Sequence, residues 1–353
     1  MKSCGIVCEY NPFHTGHAYH ISKSKEITNA DVIIGVMANH FVQRGEVACV
    51  SAKERAIEAI KHGMNLVVEL PYPYCLEGAD NYAFGAISVL DQLNCNYICF
   101  GSESNSLEML KQIATYQEQT MYNPTQSYLN QSGVSTSNDI LGVAYLKAIE
   151  NTSITPFTIQ RTNTYTSHSL ETKHASASAL RQAFQDNMDI SNYTNLKDSM
   201  EIIPLENYYP YIRTILGTLS PSYLSTIFLM EEGIENLLIK NAREYDTYEV
   251  FLNHCVTKKY TKARIQRTLW HLLLQTTKEE AKQLKELHFV RILAADEIGL
   301  KYLKEIKRNE NLELISKFPS LPLLYRNYIN KVHTLLYLNN EKKYEEELLY
   351  PYL

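Results

Sequence analysis

The first hundred residues alternate short apolar runs with segments of helical periodicity. The apolar runs cover residues 4–7, 32–36, 66–70 and 97–100, and the helical segments cover 16–27, 52–62, 79–93 and 107–118. Near-continuous apolar strands separated by helices are typical of a parallel sheet that is covered on both faces. The pattern therefore predicts an α/β fold that binds its ligand at the carboxyl ends of the strands.

The pattern changes further along the chain. A polar stretch over residues 119–137 predicts a loop or linker, after which a helix at 140–149, a strand at 157–159 and a helix at 176–184 are expected. Beyond about residue 190 only helical patterns remain. We therefore predict a Rossmann-like α/β domain over residues 1–189 and an all-helical domain over residues 190–353.

Composition places the chain among globular proteins, with 353 residues, 45% hydrophobic and 21% charged. The apolar start of the chain is interrupted by Glu9 and Asn11 before a signal peptide could form, and no apolar run reaches the length of a membrane helix. We expect a cytoplasmic protein without a membrane partner. The seven cysteines form no CxxC pair, which predicts reduced and buried thiols.

Charge is distributed unevenly. The net charge is −5, but residues 251–308 carry thirteen Lys and Arg against six Asp and Glu. A helix capped by Thr261 would have an apolar face and a basic face. The apolar face contains Ile265, Leu269 and Leu272, and the basic face contains Arg264, Arg267 and His271. A basic face of this kind is either simply solvated or a binding surface for a phosphate backbone.

The motif EYNPFHTGH at residues 9–17 follows the first apolar run and opens the first helix, which is the usual phosphate site of such a sheet. One helical turn brings His14 and His17 to the same side, and Gly16 lets the backbone approach a ligand closely. The two imidazoles could together donate to a phosphoryl oxygen. Two other interpretations are surface histidines and a zinc site, but no acidic or Cys ligand has a familiar zinc spacing, so no metal site is predicted.

Further motifs extend the pattern over about residues 2–305. They are FVQRGE at 41–46, LVVELP at 66–71, FGSE at 100–103, ILG at 140–142, SASALR at 176–181 and the segment 257–267 with TKKYT and RIQR. Their order and spacing, together with EYNPFHTGH, resemble the tRNA(Met) cytidine acetate ligase family within the HxGH nucleotidylyltransferases. The resemblance implies a nucleotidylyltransferase-like ATP-binding domain and a helical domain that docks tRNA.

The resemblance also implies a reaction. Acetate attacks the α-phosphate of ATP, pyrophosphate leaves, and the acetyl-adenylate acylates N4 of the wobble cytidine of elongator tRNA(Met). Such a ligase uses ATP as a substrate, with Mg²⁺ accompanying it, and needs no acetyl-CoA.

The motif positions receive roles from the resemblance. His14 and His17 are the expected catalytic residues. The expected ATP-binding residues are Val7, Glu9, Tyr10, Asn11, Pro12, Phe13, His14, Gly16, His17, His20, Gly101, Asn138, Arg161, Thr162, Ser176, Ser178 and Arg181. The expected tRNA-binding residues are Lys258, Lys259, Lys262, Arg264 and Arg267.

Several of these residues also have purely structural interpretations. Gly101 could simply end a strand, Arg161 could be a surface residue of a strand, and Asn138 and Ser176 could be helix N-caps. The chain also departs from the family pattern, because Ala38-Asn39-His40 stands where the family usually has Ser-Gly. Two other functions therefore stay open: a nucleotide- and RNA-binding homologue that has lost acyl transfer, and an HxGH nucleotidylyltransferase that acts on a small molecule.

Overall fold

The strands form one large sheet and one small hairpin. The computed structural model describes residues 1–119, 134, 136–161, 175–307 and 312–337. In chain order the strands are β1 (Ser3–Cys8), β2 (Val32–Ala38), β3 (Phe41–Val42), β4 (Glu46–Val47), β5 (Leu66–Leu70), β6 (Tyr97–Ser102), β7 (Thr155–Gln160), β8 (Val290–Ala295) and β9 (Leu314–Ile315). The large sheet has the order β7-β6-β1-β2-β5-β8-β9, and β3 pairs with β4.

Helices follow most of the strands. They are α1 (Thr15–Thr28), α2 (Ala52–Lys61), α3 (Ala79–Gln92), α4 (Leu107–Gln119), α5 (Ser137–Ala148), α6 (Ala177–Gln185), α7 (Tyr209–Thr218), α8 (Pro221–Leu224), α9 (Ile234–Glu244), α10 (Tyr248–Cys255), α11 (Lys262–Leu273), α12 (Lys278–Lys285), α13 (Glu297–Ile306) and α14 (Leu323–Tyr337). Short 3₁₀ helices cover Tyr74–Leu76, Lys197–Ser199, Leu205–Tyr208 and Phe318–Ser320.

The sheet topology creates a ligand crevice beside β1. β1 pairs in parallel with β2 on one side and with β6 on the other. The chain first builds outward through β2 and β5, and then returns to place β6 and β7 on the opposite side of β1. Crevices form where the strand order reverses in this way, outside the carboxyl ends of the two strands. The predicted α/β fold with a parallel sheet is confirmed.

The C-terminal part of the chain contributes to the same sheet. β8 pairs antiparallel with β5, with Leu66 opposite Ala295, and β9 extends the sheet beyond it. The prediction that residues after 190 are entirely helical is therefore wrong. Residues 290–295 form a short apolar run, and hydrophobic periodicity cannot separate a short buried strand from a helix. By pairing here, β8 covers the otherwise open edge of β5. The division of the chain at residues 189 and 190 stays a prediction.

Alternate residues of β2 enter different cores. Val32, Ile34 and Val36 face a core that continues into the helices after residue 205, whereas Ile33 and Met37 face a core formed with α1 and α2. Because the first core is continuous, the C-terminal helices pack directly on the sheet. All seven cysteines are buried free thiols, as expected. In the described part of the chain no helix has the length and apolar character needed to span a membrane.

Candidate active site between β1 and β6

His14 and His17 form the start of α1. His14 is the N-cap in extended conformation, and its Nδ1 accepts the backbone N–H of Gly16 at 3.0 Å. His17 Nδ1 accepts the backbone N–H of His14 at 3.3 Å, which completes a capping box made of two histidines. Their rings stack with centroids 3.7 Å apart. The expectation that both imidazoles lie on one side is confirmed.

These contacts fix the chemistry that the two rings offer. An imidazole nitrogen that accepts a hydrogen bond carries no proton, so the proton of each neutral ring lies on Nε2. Burial, reinforced by His14, keeps the pKa of His17 well below its usual range. His17 is therefore neutral near pH 7 and offers Nε2–H as a donor. Such a donor can stabilise negative charge on a phosphoryl oxygen without first exchanging a proton.

A cavity of about 220 Å³ lies at these histidines. Most of the expected ATP-binding residues line it, namely Val7, Glu9, Tyr10, Asn11, His14, His17, His20, Gly101, Asn138, Arg161, Ser176 and Arg181. Gly16 lines a smaller adjoining pocket of about 90 Å³ that also contains His14, His17, Gly101 and Arg161. Pro12 and Phe13 are buried without lining either space. The sequence analysis thus named most of one contiguous site.

Besides Pro12 and Phe13, one further expected residue of the described chain lines neither space. Ser178 does not line the cavity, and its Oγ lies 3.1 Å from Ser176 Oγ. Thr162 lies outside the described residues. Ser176 is the N-cap of α6 and accepts the N–H of Ala179 at 3.1 Å, so the structural interpretation of Ser176 is confirmed while the side chain still borders the cavity.

Gly101, Arg161 and Asn138 meet at one end of the cavity. A Cβ on Gly101 would stand 3.1 Å from Cγ of Arg161, so only glycine leaves that side chain in place. Arg161 Nη1 lies 3.5 Å from Asn138 Oδ1, and Arg161 Nε forms an ion pair with Glu103 Oε1 at 3.9 Å. The N-cap of α5 is Thr136, so the interpretation of Asn138 as a cap is wrong. Asn138 instead donates to the carboxylate of Glu103 in the loop after β6.

Arg181 connects two sides of the cavity. Its guanidinium donates to the carbonyl of Asn11 at 2.8 Å and pairs with Glu46 at 2.9 Å. The segment after β1 is thereby tied to the hairpin formed by β3 and β4. An arginine whose two terminal nitrogens bond a backbone carbonyl and a carboxylate holds both partners in fixed positions.

Arg55 supports the backbone beside the site, and the sequence analysis missed it. It is fully buried on α2, and its guanidinium donates to the carbonyls of Val50, Ala38, Glu9 and Asn39. These bonds position the backbone that follows β1 and β2. A signal was present, because Arg55 shares the helical face of Ala52, Ala56 and Ala59, where a charged residue must find buried partners.

The departure at Ala38-Asn39-His40 lies behind the cavity and not in its lining. Asn39 Nδ2 donates to Glu69 at 2.8 Å, and His40 Nε2 lies 3.1 Å from His333 Nε2 of α14. All three residues are buried, and none of them lines the cavity. The altered segment therefore packs against α14, and its side chains do not line the cavity.

A larger groove of about 700 Å³ opens beside the cavity. It shares Gln43, Arg44 and Glu46 with the cavity, so the two spaces are neighbours. Four of the five expected tRNA-binding residues line it, namely Lys259, Lys262, Arg264 and Arg267, and Lys258 is exposed nearby.

The basic face of α11 is less exposed than its sequence suggests. His271 is fully buried, and Arg267 is only 8% exposed and donates to the carbonyl of Gln43 at 2.9 Å. Burial lowers the pKa of Arg267 to about 10. The interpretation of a solvent-facing basic stripe is wrong at these two residues, because α11 packs on both of its sides. Lys259 and Arg264 are paired with Glu232 and Glu231 at the groove.

Comparison with known proteins agrees with this geometry. The family described as HIGH Nucleotidyl Transferase matches residues 1–347. The tRNA(Met) cytidine acetate ligase of Anoxybacillus flavithermus is 36% identical, with 90% of this chain and 89% of the relative covered. The enzyme of the same name from Caldanaerobacter subterraneus is 34% identical with the same coverage. A crystal structure of Thermotoga maritima TmcAL bound with alpha-thio ATP superposes with a TM-score of 0.80 at 25% identity, covering 99% of this chain and 95% of that one.

Proposed function

Since the chain belongs to the HIGH nucleotidyl transferase family and, within it, to the tRNA(Met) cytidine acetate ligases, we propose that it activates acetate with ATP and acetylates N4 of the wobble cytidine of elongator tRNA(Met). The observation that carries this proposal is the stacked pair of His14 and His17 at the start of α1, in a cavity that adjoins a groove with basic residues. The first feature suits phosphoryl chemistry and the second suits an RNA partner.

The first step is adenylation. An acetate oxygen attacks the α-phosphorus of ATP, the bond to the β-phosphate oxygen breaks, and pyrophosphate leaves. Negative charge grows on the oxygens around the α-phosphorus during this step, and the Nε2–H groups of His14 and His17 are the donors we assign to it. Arg161 and Asn138 are assigned to the nucleotide at the Gly101 end of the cavity. The motifs indicated only that these residues bind ATP, and the proposal now assigns each of them to a part of the ATP molecule.

Mg²⁺ enters this proposal as a companion of ATP. Among the described residues no cluster of three or more His, Cys, Asp and Glu side chains is arranged to hold a metal ion. When bound, Mg²⁺ would take most of its ligands from the triphosphate and water, and the protein would contribute hydrogen-bond donors and cations around the phosphates. Mg²⁺ would neutralise charge on the phosphates when it is bound. Acetyl-CoA has no role in the proposed reaction, because acetate is activated by ATP directly.

The second step uses tRNA. We assign residues 1–189 to adenylation and the helical segments after residue 190 to docking the RNA, with Lys258, Lys259, Lys262 and Arg264 near the groove. The groove lining also contains acidic residues, among them Glu231 and Glu232, so the exposed lysines Lys258 and Lys262 are what favours an RNA partner. A small-molecule nucleotidylyltransferase gives no reason for these lysines beside its nucleotide cavity. A binding protein without catalytic activity would not need the donor pair of His14 and His17. A tRNA substrate also favours the cytoplasm as the site of the reaction.

The test is direct. Unmodified tRNA(Met) is incubated with the protein, ATP, Mg²⁺ and deuterium-labelled acetate, and its nucleosides are analysed by mass spectrometry. The expected product is N4-acetylcytidine that carries the label. A transcript with uridine at the wobble position is the control. Acetate-dependent exchange of pyrophosphate into ATP is measured in parallel. Pyrophosphate exchange without acetylated tRNA would favour a different acceptor for the acetyl group. The absence of both pyrophosphate exchange and acetylated tRNA would contradict the proposed function.

A further inference from the structure

Glu9 occupies the cavity between the histidine pair and the groove. It directly follows β1, and it lines the cavity together with His14 and His17 on one side and with Gln43 and Arg44 on the other. Gln43 and Arg44 also line the groove. Glu9 therefore lies where a group entering from the groove would meet an activated group held by the histidines.

The carboxylate of Glu9 is held at one oxygen only. Oε1 accepts the backbone N–H of Gln43 at 2.8 Å, while no described residue donates a hydrogen bond to Oε2. Oε2 is not buried, and the Glu9 side chain lines the cavity, so this oxygen is open to the cavity. The other carboxylate of the cavity, Glu46, is paired with Arg181 at 2.9 Å. Glu9 is thus the carboxylate of the cavity that has no cationic side chain within hydrogen-bond distance in the described chain.

A carboxylate that does not contact Mg²⁺ is poorly suited to the polyphosphate of ATP, since two anions repel each other in a space with little water. It is well suited to an amine. The exocyclic N4 amine of cytosine is a donor that Glu and Asp side chains accept in base recognition, whereas uracil has an acceptor oxygen at the same place. Bases in single-stranded RNA loops can be turned out of the stack to reach such a pocket.

We propose that Glu9 accepts a hydrogen bond from the N4 amine of the target cytosine and takes its proton during acetyl transfer. The inference rests on the proposed function and assigns Glu9 to the RNA base, in place of the ATP-binding role given by the motif. Cytosine N4 attacks the acetyl carbon, and an N–C bond forms while the bond from that carbon to the adenylate oxygen breaks. AMP leaves with the bonding electron pair, and the N4 proton passes to Glu9 Oε2 and then to solvent.

The surroundings of Glu9 support a role as a base. Burial raises the pKa of the Glu9 carboxyl, although Gln43 N–H, Arg44 and Arg181 oppose the rise and Glu46 adds to it. Tyr82 and Tyr145 face it from α3 and α5, with the thiols of Cys8 and Cys75 also near. A carboxylate with a raised pKa accepts a proton more readily once ionised. Because only the ionised form works, transfer should increase as pH rises through this pKa.

The decisive variant is Glu9→Gln. Its amide oxygen can still accept the N–H of Gln43, so the local fold is kept while the base is removed. We expect acetate-dependent ATP–pyrophosphate exchange to stay at the parent level. The rate of acetyl transfer from preformed acetyl-adenylate to tRNA(Met) should fall by about 10²–10⁴, the range typical of a positioned general base. The acidic limb of the pH profile for transfer should disappear in the variant.

Glu58→Gln is the matched control. Glu58 is a buried carboxylate on α2 that accepts from Asn195 at 2.7 Å and lines none of the three cavities, so both steps should be unchanged. Glu9→Asp keeps the ionisable group and should restore part of the transfer rate together with its pH dependence. Equal loss of exchange and transfer in Glu9→Gln would overturn the inference, and so would transfer at the parent rate.

A binding measurement separates this inference from the proposed function. Parent protein and Glu9→Gln are titrated with tRNA(Met) transcripts that carry cytosine or uracil at the wobble position. The parent should prefer cytosine by about tenfold or more in Kd, as expected for one hydrogen bond to a base edge. The Gln variant should lose this preference, because an amide can also donate to uracil. If the parent forms no acetyl-adenylate, the proposed function fails, while a preference that survives in the variant overturns the role of Glu9.

Discussion

The imidazole of His17 stacks on that of His14 at 3.7 Å, and each ring accepts one backbone N–H through Nδ1. The two side chains therefore stabilise the start of α1 through Nδ1, and the proton of each neutral ring lies on Nε2. Capping of the helix and the proposed binding of the phosphoryl group thus use different nitrogens of the same rings. The two roles can be separated by substitution.

The first prediction separates them at His14. His14→Ala should lower acetate-dependent pyrophosphate release by about 10²–10³, the usual cost of removing a donor to developing negative charge. It should also reduce the free energy of unfolding by about 0.5–2 kcal/mol, because the helix loses its N-cap. His17→Ala should cause a similar loss of pyrophosphate release. Exchange kinetics and urea denaturation measure the two effects.

His14→Asn is the control for this prediction. The Asn side chain can still accept an N–H at the N-cap, so most of the stability should return. It lacks the imidazole Nε2–H, so the rate should stay low. An Asn variant as active as the parent would mean that His14 acts only as a cap.

The second prediction concerns Gly101. In Gly101→Ala the new Cβ would stand 3.1 Å from Cγ and 3.3 Å from Cδ of Arg161, which forces that side chain to move. If Arg161 binds the nucleotide, the Kd for ATP should rise by about two- to tenfold, because a guanidinium displaced by a few tenths of an ångström makes a weaker hydrogen bond. Calorimetric titration with ATP and Mg²⁺ measures this change.

Gly217→Ala provides the comparison, because a Cβ at Gly217 meets no atom within 4 Å. It lies in α7, where replacing glycine by alanine should stabilise the helix by up to about 1 kcal/mol and leave ATP binding unchanged. If the two variants bind ATP with equal affinity, Arg161 does not contribute to nucleotide binding.

The sequence predicted the parts of this site that depend on local pattern. The strands of the parallel sheet and the position of His14 and His17 after β1 follow from periodicity and motif order, although β6 continues beyond its predicted end at residue 100 and includes Gly101. Arg55 and β8 were missed because their roles depend on distant partners, which are carbonyls from three segments for Arg55 and the edge of β5 for β8. The burial of Arg267 was missed for the same reason, since the hairpin that covers it is far away in sequence.

The third prediction concerns the groove. Lys258 and Lys262 are exposed near it, so Lys258→Ala/Lys262→Ala should weaken tRNA binding. The slope of log K against log salt should become shallower by roughly 0.7–0.9 for each phosphate that the variant no longer neutralises. Adenylation should be unchanged. Filter binding over a range of salt concentrations measures the slope.

Lys278→Ala/Lys282→Ala makes the same change in charge on α12, outside the groove lining, and should leave the salt slope unchanged. Arg267→Ala should behave differently from both pairs. Because Arg267 Nη1 donates to Gln43 O, its removal should reduce the free energy of unfolding by about 1.5–3 kcal/mol. Identical slopes for the two lysine pairs would mean that RNA docks elsewhere.

The fourth prediction concerns His271 and the stability of the fold at acidic pH. Its Nδ1 bonds to the hydroxyl of Tyr72 at 2.7 Å, and its Nε2 lies 3.3 Å from the carbonyl of Leu76. Burial, with smaller contributions from Arg267 and Lys285, lowers the pKa of His271 to about 3. The unfolded chain, with a pKa near its usual value of about 6.5, therefore binds a proton that the folded chain does not bind as pH falls below that value. Stability from this residue is complete above about pH 6.5 and decreases toward acid, by up to about 1.4 kcal/mol per pH unit.

His271→Gln removes the titratable imidazole and keeps a side chain that can accept and donate hydrogen bonds. At about pH 7 the variant should be less stable than the parent, because Gln cannot reproduce both hydrogen bonds of the imidazole. Between about pH 6.5 and pH 5 the difference in the free energy of unfolding should narrow at up to about 1.4 kcal/mol per pH unit, since only the parent continues to lose the contribution of His271. Urea denaturation at several pH values measures how the free energy of unfolding of the parent and of the variant depends on pH. A constant difference across this range would mean that His271 binds its proton in the folded protein as readily as in the unfolded chain, which its fully buried position argues against.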